Sequence, residues 1–221
     1  MLKEVKGKLA PLALMLVFAL SRIPGMLPQN FSAAYALVFC AGVYFTGAVA
    51  WWLPMATLLL TDLGLDLYYR FYLGYQVFEI PTLKYQLFNY AAYVVLIWLG
   101  RRFKPSSSFT SLLGGGVLGA LLFYLITNTA SWLFNPFGNP EYTKDLAGWI
   151  TALTKGTSGW PETWKFFINT LLSGGIFTGL FVGAVKWLSA AQSESALDKE
   201  QQQAPAAEEA DSEEAPEDAK A

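Results

Sequence analysis

Six apolar runs, each near the length of a bilayer crossing, fill most of the sequence between Leu9 and Leu188 and leave little room for a soluble fold. A hydrocarbon core of about 30 Å takes roughly 20 helical residues to cross. The runs are Leu9–Leu27, Phe31–Ala50, Trp51–Tyr69, Lys84–Gly100, Phe109–Phe134 and Trp164–Leu188. With 54% hydrophobic and only 14% charged residues, the chain has the make-up of a membrane protein. The expected fold is therefore all-α, a polytopic membrane protein with six transmembrane helices in one bundle over residues 1–189. A disordered acidic tail is expected over 190–221, where ten acids face two lysines and no aromatic residue occurs. That tail carries −8, which leaves +6 for the rest of a chain whose net charge is −2.

The first run resembles a signal peptide, with Lys3, Lys6 and Lys8 ahead of an apolar core. No small-x-small cleavage site follows it in "SRIPGMLPQN", so it is expected to stay as a span. In "AVAWWLPM", Pro54 suits the first turn of a third helix, where its missing N–H costs nothing.

Positive charge orients the spans. Lys3, Lys6 and Lys8 precede the first, Arg101, Arg102 and Lys104 follow the fourth, and Lys186 ends the sixth. Six spans put all three groups on one side, so both termini are expected in the cytoplasm of a cell with this chain in its plasma membrane. Arg70, Lys144 and Lys155 fall on the other side and weaken the bias.

The residue inventory excludes several chemistries. There is no histidine, and the single thiol, Cys40, has no partner for a disulfide or a multi-cysteine metal site. No enzyme activity and no cofactor are expected. No basic patch with interleaved aromatics points to nucleic acid, and no Gly-rich Walker loop points to ATP. Small residues recur at helical spacing instead: Gly175, Gly179 and Gly183 in the last run, Gly115 and Gly119 in the fifth, Gly42, Thr46 and Ala50 in the second. Such stripes let helices pack closely within a bundle, or dock on a partner.

Polar residues inside apolar runs are the candidate site. A charge near the bilayer centre costs at least about 2.5 kcal/mol, so it normally faces a cavity or a partner. In "LLLTDLGLDLYYR", Asp62 falls near mid-depth, Asp66 lies one turn further out on the same face, and Arg70 one turn beyond is the nearest partner by sequence. Asn128 and Trp132 share a face near the end of the fifth run, and Asn169 sits near the start of the sixth. Asn30 either caps the second helix or joins these. Tyr68, Tyr69, Phe71, Tyr72, Tyr75 and Phe78 form either an interfacial belt or an aromatic-lined pocket closed by loops.

Several phrases in order carry a resemblance: "RIPGMLPQNFSAAYALVFCAGVYF", "LPMATLLLTDLGLDLY", "LLFYLITNTASWLF", "EYTKDLAGWITAL" and "WKFFINTLLSGGIFTGLFVG". Over roughly residues 20–185 the chain resembles an uncharacterised family of bacterial multispanning proteins. Its six-span plan also resembles the S components of energy-coupling factor transporters. That second resemblance implies capture of a small organic nutrient such as a vitamin from the outer side. It also implies delivery to a transmembrane coupling protein with ATPase subunits. By that analogy Asn30, Asp62, Asn128, Trp132, Tyr142, Lys144 and Asn169 bind substrate, and residues 67–83 and 135–163 form a lid. The alanine-x-x-x-alanine docking pattern of those components is missing here, since Ala10, Ala13 and Ala19 have other spacings. Two other readings stay open: a scaffolding envelope protein, and a stand-alone ion-coupled carrier with Asp62 as the titrating group.

Overall fold

A computed structural model describes residues 16–203. Lys3, Lys6 and Lys8, the start of the first apolar run and the chain beyond Gln203 lie outside the described residues. All regular structure described is helical: a segment at 16–21 (α1), α2 (Ala34–Tyr44), α3 (Val49–Tyr72), α4 (Ile80–Gly100), α5 (Phe109–Phe134), α6 (Leu146–Leu153) and α7 (Thr163–Gln203). The chain divides into two compact units, Met1–Val182 and Gly183–Ala221. Of the candidate residues only Gly183 belongs to the second.

The helix of the first unit that sits deepest is α2, with only 11 residues. In α2, every residue from Ala34 to Val43 is buried. A helix apolar on all sides belongs inside a core, and α2 packs against α3, α4 and α5. Its 11 residues reach only about 16 Å. Phe45 is extended, and Gly47 takes a positive φ of 61°, so the helix stops well before Ala50. Glycine also sets the α2–α4 crossing. A Cβ on Gly42 would lie 3.0 Å from the Cα of Gly100, and the two backbones touch there.

Six spanning helices were the expectation; two described helices are both long and apolar enough to cross a membrane. They are Phe109–Phe134 and the Thr163–Leu197 portion of α7. The helices α3 and α4 have the length, at 24 and 21 residues, but polar side chains dilute them. In α3 these are Thr57, Thr61, Asp62, Asp66 and Arg70; in α4 they are Lys84, Gln86 and Asn89.

Three local expectations need correction. Pro54 stands at the sixth residue of α3, fully buried, because the helix already begins at Val49 behind Gly47. Asn30 does not cap α2. It takes a left-handed φ of 59°, the helix begins after Ala33, and the Ser32 hydroxyl receives the Ala34 N–H at 3.2 Å. The helix α7 runs to Gln203, through residues whose composition suggested disorder. Its stretch "AAQSESALDKEQQQ" is rich in Ala, Gln, Glu and Lys, good helix formers, and Ser193 and Ser195 donate to carbonyls four residues back.

The glycine stripes also divide differently. The close approach of α5 and α7 uses Gly116 against Thr178 and Gly174 against Ala120, where added Cβ atoms would fall 2.6 and 2.5 Å from side-chain atoms. Gly115 instead receives the Phe39 and Phe103 rings, and Gly119 faces Leu96. Gly175 and Gly179 are one residue round from the contact face. They floor an open apolar groove of about 660 Å³ between Leu172, Ile176 and Leu180 on α7 and Phe109, Leu113 and Val117 on α5.

Two arginines meet tryptophans where α4 ends. The Arg101 guanidinium lies 5.9 Å from the Trp51 ring centroid, and Arg102 lies 4.2 Å from that of Trp98. The start of α3 and the end of α4 therefore lie side by side.

Candidate functional site

Ala50, Pro54, Leu58, Asp62 and Asp66 follow one another along α3 at four-residue spacing, a row that drifts round the helix by about 40° per step. Its first three members are buried, and no residue of α3 after Leu58 is. Full burial therefore ends at Leu58, and beyond it polar contacts join half-buried Leu65 and Tyr69.

Asp62 receives two donors from two other helical segments. The Arg22 guanidinium, just after α1, pairs with its Oδ1, and the Tyr90 hydroxyl from α4 donates to its Oδ2 at 2.7 Å. The Arg22 and Asp62 side chains are 20% and 19% exposed. One turn on, Gln86 Nε2 donates to Asp66 Oδ2 at 2.7 Å. Asp62 opposes Tyr90 and Asp66 opposes Gln86, so two i, i+4 pairs on antiparallel helices form a polar ladder. The register places it in mid-helix. Asp62 lies about 16 Å along α3 from Trp51, and Tyr90 about 15 Å along α4 from Gly100. The ladder abuts a buried aromatic wall, since Tyr90 meets Tyr93 at 6.2 Å, and Tyr93 and Tyr35 both meet Phe123 at 4.9 Å. In formal charge it holds two carboxylates and one guanidinium, whose Nε is buried without a hydrogen-bond partner.

Arg70 is not the partner of Asp66. It is exposed and donates to Gln76 Oε1 at 3.0 Å, because α3 ends two residues later and the chain folds back over it. Most of the aromatic residues around it face outward. Phe71, Tyr72, Tyr75 and Phe78 are exposed, and Tyr68 stacks on Tyr72 as Tyr69 does on Tyr75.

A second group of expected residues meets where α5 ends. Lys144 Nζ donates to the carbonyls of Trp132 and Leu133 at 2.6 and 2.7 Å, and stands 5.7 Å from the Trp132 ring centroid. A lysine there satisfies carbonyls that a helix C-terminus leaves free, and it complements the helix dipole. Trp132 Nε1 donates to Thr143 O at 2.7 Å, and Tyr142 is buried beside this turn. The helix α6, unexpected from sequence, then runs back along α5. Trp149 Nε1 reaches Thr129 Oγ1 at 3.0 Å, and the Tyr124 hydroxyl donates to the Leu153 carbonyl. Tyr124 is ten residues, about 15 Å, in from the end of α5. Asn128 is satisfied within its own helix, donating to Tyr124 O at 2.8 Å. Asn169 donates to Gln29 O at 2.9 Å and ties α7 to the turn carrying Asn30.

Two carboxylates shape this loop. The Ser158 side chain, and after it the Ser158 N–H that donates to Glu141 Oε1 at 2.8 Å, hold the Glu141 carboxyl below its ordinary value. The Gly148 N–H, at 2.8 Å, does the same for Asp145, with help from the Thr143 hydroxyl, and Asp145 thereby caps α6.

The expected residues thus separate: Asp62 and Asp66 lie in the α3–α4 ladder, Trp132, Tyr142 and Lys144 at the α5–α6 turn, and Asn30, Arg70, Asn128 and Asn169 in neither. Among the described residues, no hydrogen bond or ion pair joins the two. Sequence reasoning missed Arg22, Tyr90 and Gln86. A signal for Arg22 was present: it is the only Lys or Arg between Lys8 and Arg70.

No curated protein and no solved structure matches the chain. Residues 3–197 match a family model described as a family of unknown function (DUF6580). That match agrees with the resemblance to an uncharacterised family and extends over most of the chain. The chain belongs to the family of unknown function DUF6580.

Proposed function

We propose that this chain is a six-span protein of the bacterial plasma membrane, with both termini cytoplasmic, that captures a small organic ligand from the outer side. In this reading Trp51, Arg101 and Arg102 mark the cytoplasmic end, and Asn30, Tyr72 and Trp132 lie toward the outside. It acts without catalysis of its own. By the resemblance to S components, the ligand is a nutrient of vitamin type, and the receiving partners are a coupling protein and its ATPases.

The observation that carries the reading is the ladder of Arg22, Asp62, Tyr90, Asp66 and Gln86. Three segments of an apolar chain contribute charged and polar side chains to one place in mid-helix, where each is costly without a partner. Native mass spectrometry of the protein purified in detergent tests it. A co-purified small molecule is expected in the wild type and missing from Asp62→Asn of unchanged helicity and dispersity. A ligand-free wild type whose melting temperature responds to no vitamin or ion in a panel would sink it.

One observation favours a second reading, a structural brace. Both oxygens of Asp62 already have internal donors, so that carboxylate needs no ligand. A brace requires Asp62→Asn to lower thermal stability while no bound molecule is found in either form.

A further inference from the structure

We propose that the outer half of α3, from Asp62 to Tyr72, is a gate that swings away from α1 and α4, with Asp62 and Asp66 as its latch. The proposal deepens the capture reading, on which its role as the ligand's entrance rests. The motion itself can be measured with no ligand present.

The two halves of α3 are held by different forces. Ala50, Pro54 and Leu58 anchor the first half by burial. Beyond Leu58 no residue of α3 is fully buried: Thr61, Asp62, Leu65, Asp66 and Tyr69 are half-buried, and Asp62 and Asp66 make the polar contacts to the neighbouring segments. The remaining surface of the outer half is open: Leu63 and Leu67 are exposed, and Phe71 and Tyr72 are 76% and 81% exposed. Separating a packed apolar face strips area from every residue along it. Polar contacts of this kind release one donor at a time and can be taken up by another partner.

The junction between the halves is built to bend. Thr57 and Thr61 donate their hydroxyls to backbone carbonyls, Thr57 to Leu53 at 2.8 Å and Thr61 to Leu58 at 2.9 Å and Thr57 at 3.0 Å. Such back-bonding competes with the helical ladder and bends helices. Gly64 follows, with no atom near its missing side chain. At the far end, residues 73–79 join α3 to α4 through Gly74, whose positive φ of 72° marks a turn.

Spin-label distances in nanodiscs test the gate, on a Cys40→Ala background. One pair sits on the moving half, Tyr68→Cys with Leu87→Cys on α4. The control pair, Trp52→Cys with Trp98→Cys, sits at the anchored end. All four positions are exposed. Removing the latch by Asp62→Ala with Asp66→Ala should lengthen and broaden the first distance and leave the second unchanged. Tyr90→Phe with Gln86→Ala keeps the Arg22–Asp62 pair, so it serves if the first variant does not fold, and should give a smaller change of the same kind. A Tyr68–Leu87 distance unmoved by the latch variant that folds, or equal broadening of both pairs, overturns the gate. Ligand loss is read separately by mass spectrometry, so the gate can stand where capture fails.

Discussion

Asp62 and Arg22 neutralise each other across forty residues of sequence, each with about four-fifths of its side chain withdrawn from solvent. The energetic sign of such a pair depends on what is removed. Taking away one partner leaves an uncompensated charge, whereas replacing both with apolar groups is often neutral. Arg22→Met or Asp62→Leu alone should therefore lower stability by about 3 kcal/mol, the lower end of the range because the pair keeps some solvent. The double variant should recover most of that loss. Thermal unfolding in detergent reads the difference, and a double variant as unstable as either single one would reject a compensated pair.

The ladder should also show a gradient. Tyr90→Phe removes one donor from a carboxylate and little volume, so it should cost about 1.5–3 kcal/mol, as for hydrogen bonds to charged groups. Gln86→Ala acts one turn further along, where Asp66 is better placed to recruit water, and should cost about 1 kcal/mol. Denaturation of the two variants side by side measures the gradient. Equal losses would mean that the two rungs are equally shielded.

Legibility followed the range of the interactions. The α5 limits came directly from hydropathy, because "PSSSFT" supplies a Ser108 cap and "FNPFGNP" a left-handed Asn135 stop. Asp62 stood out for the same reason, as a charge in an apolar run. Its partners did not, since Arg22 and Tyr90 are 40 and 28 residues away and only tertiary packing joins them. The α2 limits failed because an apolar run does not state where a helix ends; Phe45 and Gly47 decided that through backbone conformation. Lys144 was a substrate candidate only by the analogy to S components; its bonds to the last carbonyls of α5 depend on how the following turn folds back, which spacing does not state.

Glycines that look alike in sequence should differ sharply in tolerance. An alanine at Gly42 would drive its methyl into the Ile97 carbonyl and the Gly100 Cα, both backbone, and should cost about 3 kcal/mol as an overpacked contact. At Gly175 the new methyl meets only Val117 Cγ2, at 3.3 Å, a side chain bordering an open groove. Gly175→Ala should be neutral or gain up to about 1 kcal/mol from helix propensity. Melting temperatures of the two variants check the contrast. A destabilising Gly175→Ala would restore that glycine to the close-packed face.

The loop that carries α6 should loosen in acid. Glu141 and Asp145 both titrate below their ordinary values of 4.5 and 3.8 because backbone N–H groups and hydroxyls bond their charged forms. A carboxyl depressed in the folded state stabilises that state above its unfolded value, and the contribution is lost as pH falls through the folded value. Tethering of residues 141–158 should therefore be complete near neutrality, begin to weaken below pH 4.5, and be lost only well into the acid range. Both carboxylates are solvent-exposed, which keeps the effect local to the loop. Hydrogen-exchange protection of the Ser158 and Gly148 amides, corrected for the intrinsic rate at each pH, should fall over that window. Exchange at Leu37 in the buried α2 should hold. Glu141→Gln should abolish most of the pH dependence at Ser158 and leave that at Gly148, because each amide answers to its own carboxylate.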